Sequence, residues 1–171
     1  FVAFESDNRA LAEEIIRGDR DLEIRTDEGL REIGCGKWEG MNGKEVEEKY
    51  PGQIELWGNR PEECRIEGGD TFQQVSDRIV DAFWRIVEAN RGKTILITSH
   101  MICLTLLMIH FEGRPINDMW EVKPIANAAL NIVEVDEEDH VEILAWSDDR
   151  FVPEEDKKGS ALVAGRNYVE D

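Results

Sequence analysis

The sequence predicts an α/β fold, a three-layer sandwich with a mostly parallel central sheet, helices on both faces and an antiparallel hairpin at one edge. Three patterns carry that expectation. Thr94-Ile95-Leu96-Ile97-Thr98 is nearly all apolar and β-branched, as a strand buried on both faces would be. An amphipathic helix precedes it and an all-apolar helix follows after a two-residue break, and alternation of strand, helix and strand implies parallel pairing. Finally, the runs 127–135 and 141–146 flank the acidic turn Asp136-Glu137-Glu138-Asp139, a hairpin pattern.

In chain order, Phe1-Val2-Ala3-Phe4 reads as a strand. Ser6 and Asp7 are candidate caps for a helix over 9–17 that closes at Gly18. Asp21-Leu22-Glu23-Ile24-Arg25 alternates as a short strand, and a glycine-dense loop runs over 29–43. Asn42 with Glu45 forms a capping box for a short helix that reaches Tyr50 and stops at Pro51. No periodicity survives over 52–69, so a mobile loop or lid is expected there. Phe72, Val75, Ile79, Ala82, Phe83, Ile86 and Val87 then recur at helical spacing up to Gly92. Residues 102–111 form the apolar helix. The expected domain covers residues 1–153, and residues 154–171 form a charged C-terminal tail.

At 171 residues the chain has the length of about one domain, and 41% hydrophobic residues with five tryptophans supply a core, which argues against disorder. A net charge of -18 repels polyphosphate and anionic lipid, and no Lys/Arg run offsets it, so neither nucleic acid nor membrane is an expected partner. The longest apolar stretch, residues 101–111, is about half of the roughly 20 residues a membrane span needs. Cys35, Cys64 and Cys103 are odd in number and widely spaced, which suggests reduced thiols and a cytoplasmic location.

Ligands of open α/β sheets bind beyond the carboxyl ends of the strands. Ser99-His100 stands at such an end and opens an apolar helix whose amide groups favour an anion. The plainer alternative makes His100 a helix cap. Arg9 heads its own helix, a position unfavourable to a cation unless an anion sits in front of it. Leu30-Arg31-Glu32-Ile33-Gly34-Cys35-Gly36-Lys37-Trp38-Glu39-Gly40 gathers glycines, charges and a tryptophan, as a site does and a plain connector seldom does. His110 and His140 suit structural roles. A metal centre from His100, Cys103 and His110 lacks a nearby carboxylate in the sequence, and no metal or cofactor is expected.

Taken together, these segments resemble the histidine phosphatase superfamily, which includes the cofactor-dependent phosphoglycerate mutases and many small-molecule phosphatases. The likeness runs over about residues 2–146. It is carried by Phe4-Glu5-Ser6-Asp7-Asn8-Arg9-Ala10, by Leu30-Arg31-Glu32-Ile33 with Gly36-Lys37-Trp38-Glu39-Gly40, by Tyr50-Pro51, by Gly69-Asp70-Thr71 with Arg78 in the following helix, and by Ile95-Leu96-Ile97-Thr98-Ser99-His100. The resemblance implies that Glu32 is a general acid, Arg9 a phosphate-binding arginine and His100 the second histidine of the site. It also implies a small phosphorylated metabolite as substrate and phosphoryl transfer through a phosphohistidine.

Two departures stand out. The family's arginine-histidine-glycine tripeptide, source of the nucleophilic histidine and of a strand in the middle of its sheet, is absent, and Met101 replaces the glycine that usually follows the second histidine. With Phe1 as first residue rather than Met, the expectation is an upstream extension that carries this tripeptide. Hydrolysis of small phosphate monoesters is the preferred function, because the insertion between Gly40 and Gly69 is short. Mutase-type transfer and a non-catalytic interaction module of the same fold are the alternatives, and a homodimer stays open.

Overall fold

The computed structural model describes residues 2–4, 13–14 and 24–153. Strands β1 (Val2–Phe4), β2 (Ile24–Thr26) and β3 (Leu96–Thr98) form a parallel sheet in the order β2-β1-β3. Val2 aligns with both Ile24 and Leu96, and Phe4 with both Thr26 and Thr98. Of the helix expected over 9–17, Glu13 and Glu14 are described and are helical. Arg9 and the expected tail over 154–171 lie outside the described residues.

The hairpin differs from expectation. Strands β4 (Leu130–Val135) and β5 (Val141–Asp148) pair antiparallel as a separate two-stranded sheet instead of extending the parallel one, so among the described residues β3 has β1 on one side and no strand on the other. Side-chain packing holds the hairpin to the body: Val133, Val135, Val141 and Trp146 lie against the main core. Strand β3 is also shorter than the 94–98 pattern, with Leu96 and Ile97 half-buried and only Thr98 buried.

Helix α1 (Gly43–Lys49) starts at the expected Asn42–Glu45 capping box, with both reciprocal bonds made. Between 52 and 69, where a loop or lid is expected, the chain instead folds into helix α2 (Gln53–Asn59) and a 3₁₀ turn (Pro61–Glu63). Tertiary packing decides this stretch. Trp57 is only 6% exposed, and its ring centroid lies 5.8 Å from Trp38, 4.7 Å from Phe72 and 6.1 Å from Trp120.

Helix α3 (Phe72–Ala89) is capped by Thr71 and Gln74 in a second capping box and buries Phe72, Val75, Ile79, Ala82, Phe83 and Ile86. Helix α4 (Met101–Phe111) buries Ile102, Cys103, Leu106, Leu107 and Ile109. The two pack against each other in the largest cluster of the core, which places the turn between β3 and α4 beside the loop that carries Glu32.

Candidate active site

The site begins with a tight turn. Asp27 accepts a hydrogen bond from the Gly29 amide at 2.8 Å and caps a 3₁₀ turn (Glu28–Leu30) whose Leu30 is fully buried. The Ser99 hydroxyl donates to the Leu30 carbonyl at 2.7 Å, so the end of β3 and the start of the Glu32 loop are fastened together. Ser99 thereby brings its neighbour His100 against Glu32. His100 Nδ1 stands 3.9 Å from Glu32 Oε2, and the two side chains are 26% and 37% exposed.

His100 occupies the N-cap position of α4 with extended backbone (φ -112°, ψ 161°), yet its side chain makes no capping hydrogen bond. The cap alternative therefore does not describe what its ring does. The Met101 sulfur accepts from the Thr105 hydroxyl at 3.6 Å, one turn along the helix. An imidazole, a carboxyl group and a helix N-terminus thus share one half-exposed surface, a set that can hold an anion and exchange a proton with it.

Below Glu32 lies a layer of charge largely shielded from water. Arg31 forms a two-pronged pair with Asp70 at 2.7 and 2.9 Å, and the Gly34 amide donates to the same carboxylate at 2.8 Å. Burial alone would raise the Asp70 pKa, but those two donors and the positive charges of Arg31 and Arg78 hold it below the ordinary carboxylate value. Arg78, reaching in from α3, donates through Nη1 to the carbonyls of Gly29 (3.0 Å) and Arg31 (2.6 Å) and through Nη2 to that of Glu32 (2.9 Å). Glu32 Oε1 accepts from the Ile33 amide at 2.8 Å and lies 3.6 Å from the Cys103 sulfur.

Cys103 is buried, and desolvation, reinforced by the Glu32 charge, pushes its pKa up to about 12. It stays a thiol and donates to the Arg31 carbonyl at 2.9 Å. Cys35 and Cys64 are also free. Trp38 turns inward rather than over the site and is 8% exposed.

Glu32 and His100 thus meet, while Arg9 lies outside the described residues. His110, at the end of α4, faces Phe111 with ring centroids 5.9 Å apart. His140 sits on the hairpin, 3.1 Å from Asp136. The residues that position Glu32, Arg78 and Asp70, were visible in sequence only as parts of a resemblance. A physical signal exists for Arg78: it falls three residues after Val75 and four before Ala82, inside the buried stripe of α3. A cation there needs buried acceptors.

Comparison with known proteins identifies the family. Residues 9–149 match the family model of the histidine phosphatase superfamily (branch 1). Phosphoserine phosphatase 1 of Hydrogenobacter thermophilus is 24% identical over 122 residues, 71% of this chain and 57% of that protein. The adenosylcobalamin/alpha-ribazole phosphatase of Escherichia coli is 26% identical over 109 residues, 64% of this chain and 54% of that protein. The chain therefore spans little more than half the length of these two relatives. The solved structure of Bacillus stearothermophilus YhfR superposes with a TM-score of 0.79 at 30% identity, covering 86% of this chain and 73% of that one.

Proposed function

The chain belongs to the histidine phosphatase superfamily, and from that premise we propose that it hydrolyses small phosphate monoesters, with Glu32 as general acid and His100 as a phosphoryl-holding histidine. The observation that carries the reading is the 3.9 Å approach of His100 Nδ1 to Glu32 Oε2 at the N-terminus of α4. A monoester brings about -1.5 to -2 charges, which in a chain of net charge -18 must be met by concentrated donors. His100, the α4 amides and Arg9 fill that role in this reading. Protonated Glu32 gives its proton to the bridging oxygen as the P–O bond breaks, so the alcohol leaves neutral.

In the family scheme the phosphoryl group passes first to a histidine and then, as the P–N bond breaks, to water. No arginine-histidine-glycine tripeptide occurs in the sequence, so the reading assigns that attack to an imidazole outside these 171 residues. The phosphatase names of the two curated relatives favour a small phosphorylated metabolite as substrate. The same reading takes residues 1–153 as a three-layer domain acting in the cytoplasm, with 154–171 as its tail. The absent tripeptide also favours a second reading, a non-catalytic module that binds phosphorylated ligands.

Turnover separates the two. In the native polypeptide that carries these residues, Glu32→Gln is expected to slow phosphoserine hydrolysis about 10²- to 10⁴-fold. The loss on 4-nitrophenyl phosphate, whose leaving group departs without a proton, should be much smaller. Equal losses on both esters would contradict the acid role, and binding of orthovanadate without any turnover would support the module.

A further inference from the structure

We infer that Arg78 is the positioning residue that sets where the Glu32 carboxyl group stands relative to His100, an inference that rests on the reading of Glu32 as general acid. Its side chain is 17% exposed, and a cation so shielded ordinarily pairs with a carboxylate. The nearest one, Asp70, lies 3.6 Å from Nη2 and is already engaged by Arg31 and the Gly34 amide. Arg78 therefore meets Asp70 through charge alone and gives its hydrogen bonds to three carbonyls of a four-residue stretch, those of Gly29, Arg31 and Glu32.

The geometry on either side of Glu32 gives that choice its meaning. The carbonyls of Arg31 and Glu32 are held by Arg78, and the Gly34 amide just beyond is held by Asp70. With the main chain fixed before and after it, the Glu32 side chain has little freedom: Oε1 is tied to the Ile33 amide, and Oε2 is left facing His100. The neighbouring turn is pinned to the same stretch through Ser99 and Leu30. Both Glu32 and His100 are thus located from one short segment, and Arg78 grips that segment from below. A lysine at this position keeps the charge but presents a single ammonium, which cannot span three carbonyls that a planar fork reaches together.

Arg78→Lys in the native polypeptide is the test, with phosphoserine and 4-nitrophenyl phosphate as the two probes and a thermal melt to show that the variant is folded. Misplacing the acid by about an ångström should lower turnover on phosphoserine by about 10²-fold, with a much smaller loss on the aryl ester and little change in KM. In a Glu32→Gln background the same substitution should add almost nothing on phosphoserine, because the group it positions is already gone. Arg78→Gln supplies a second reading: added guanidinium ion should restore phosphoserine turnover where sodium ion does not.

Equal losses on the two esters, full additivity with Glu32→Gln, or a folded Arg78→Gln protein that guanidinium does not rescue would each overturn the inference while leaving Glu32 as the acid. If both Arg78 variants fail to fold, Arg78 belongs to the fold alone and the inference is overturned. Failure of the Glu32→Gln discrimination itself, or absence of any turnover by the unaltered polypeptide, overturns the underlying reading and this inference with it.

Discussion

The Glu32 loop and the tip of the β4–β5 hairpin both carry carboxylates paired with arginines, and they are held in opposite ways. Beneath Glu32, Asp70 and Arg78 are mostly withdrawn from water, their side chains 18% and 17% exposed: the Asp70 carboxylate accepts from Arg31 and the Gly34 amide, and Arg78 donates to three carbonyls. At the hairpin tip, Asp136, Glu138, Asp139 and His140 are exposed. Their cation Arg91 also pairs with Glu88 across open solvent. The outer face of that hairpin leaves Leu130, Ile132 and Leu144 39%, 41% and 53% exposed. Desolvated charges are costly unless every donor and acceptor is placed, so they fix geometry; exposed pairs are screened and fix little. The difference teaches which of the two loops can hold a side chain still.

The largest effect that would break this contrast is expected at Asp70. Asp70→Asn leaves Arg31 and Arg78 without their shared carboxylate and should lower the unfolding free energy by about 3 kcal/mol, read by urea denaturation at neutral pH. Because the folded pKa of Asp70 lies below its unfolded value, its contribution is present above the ordinary carboxylate range and is lost as pH falls through the folded pKa. The stability gap between wild type and Asp70→Asn should therefore shrink on acidification below about pH 4. A gap independent of pH would show that Asp70 acts through shape alone.

Gly36→Ala should cost at least about 2 kcal/mol, that much from a left-handed backbone alone. Gly36 has φ +45°, and an added Cβ would lie 2.4 Å from both the Glu67 carbonyl oxygen and the Gly69 nitrogen. Those neighbours are main chain, so they cannot swing away. A melting temperature equal to wild type would mean that the two loops separate freely. The smallest effect belongs to the hairpin: Arg91→Ala should leave the melting temperature unchanged within error despite removing two ion pairs. A clear drop would erase the distinction between the two regions.

What was legible in the sequence was local. The two capping boxes, Asn42 with Glu45 and Thr71 with Gln74, are three-residue signals. The first and the amphipathic stripe of α3 could be read directly. Ser99-His100 and Glu32 were visible as unusual chemistry at the end of an apolar strand and within a glycine-rich loop. What was not legible depends on residues far apart in the chain. Helix α2 forms where no periodicity shows, because Trp57 is clamped among Trp38, Phe72 and Trp120. The separation of β3 from the hairpin is likewise a matter of non-local pairing, to which alternation within each strand is blind. Asp70 looked like part of a helix start, and only its contacts with Arg31 and Gly34 reveal its second task.

The hooks that join the two glycine-bearing loops have a consequence for how such a protein can be varied. The Lys37 amide donates to the Glu67 carbonyl at 2.9 Å and the Asp70 amide to the Gly34 carbonyl at 2.8 Å, so the stretch from 38 to 66 leaves and returns at a staple made of main chain. Lengthening or exchanging that stretch is a graft onto ends that are already closed, at an entropic cost that grows only as the logarithm of its length. A replacement must restore the aromatic plug that Trp38 and Trp57 form with Phe72 and Trp120 and the apolar side chains Val46, Cys64 and Ile66 that join the core. A segment that can change in length and sequence is thereby insulated from the hydrogen-bonded layer that locates Glu32 and His100.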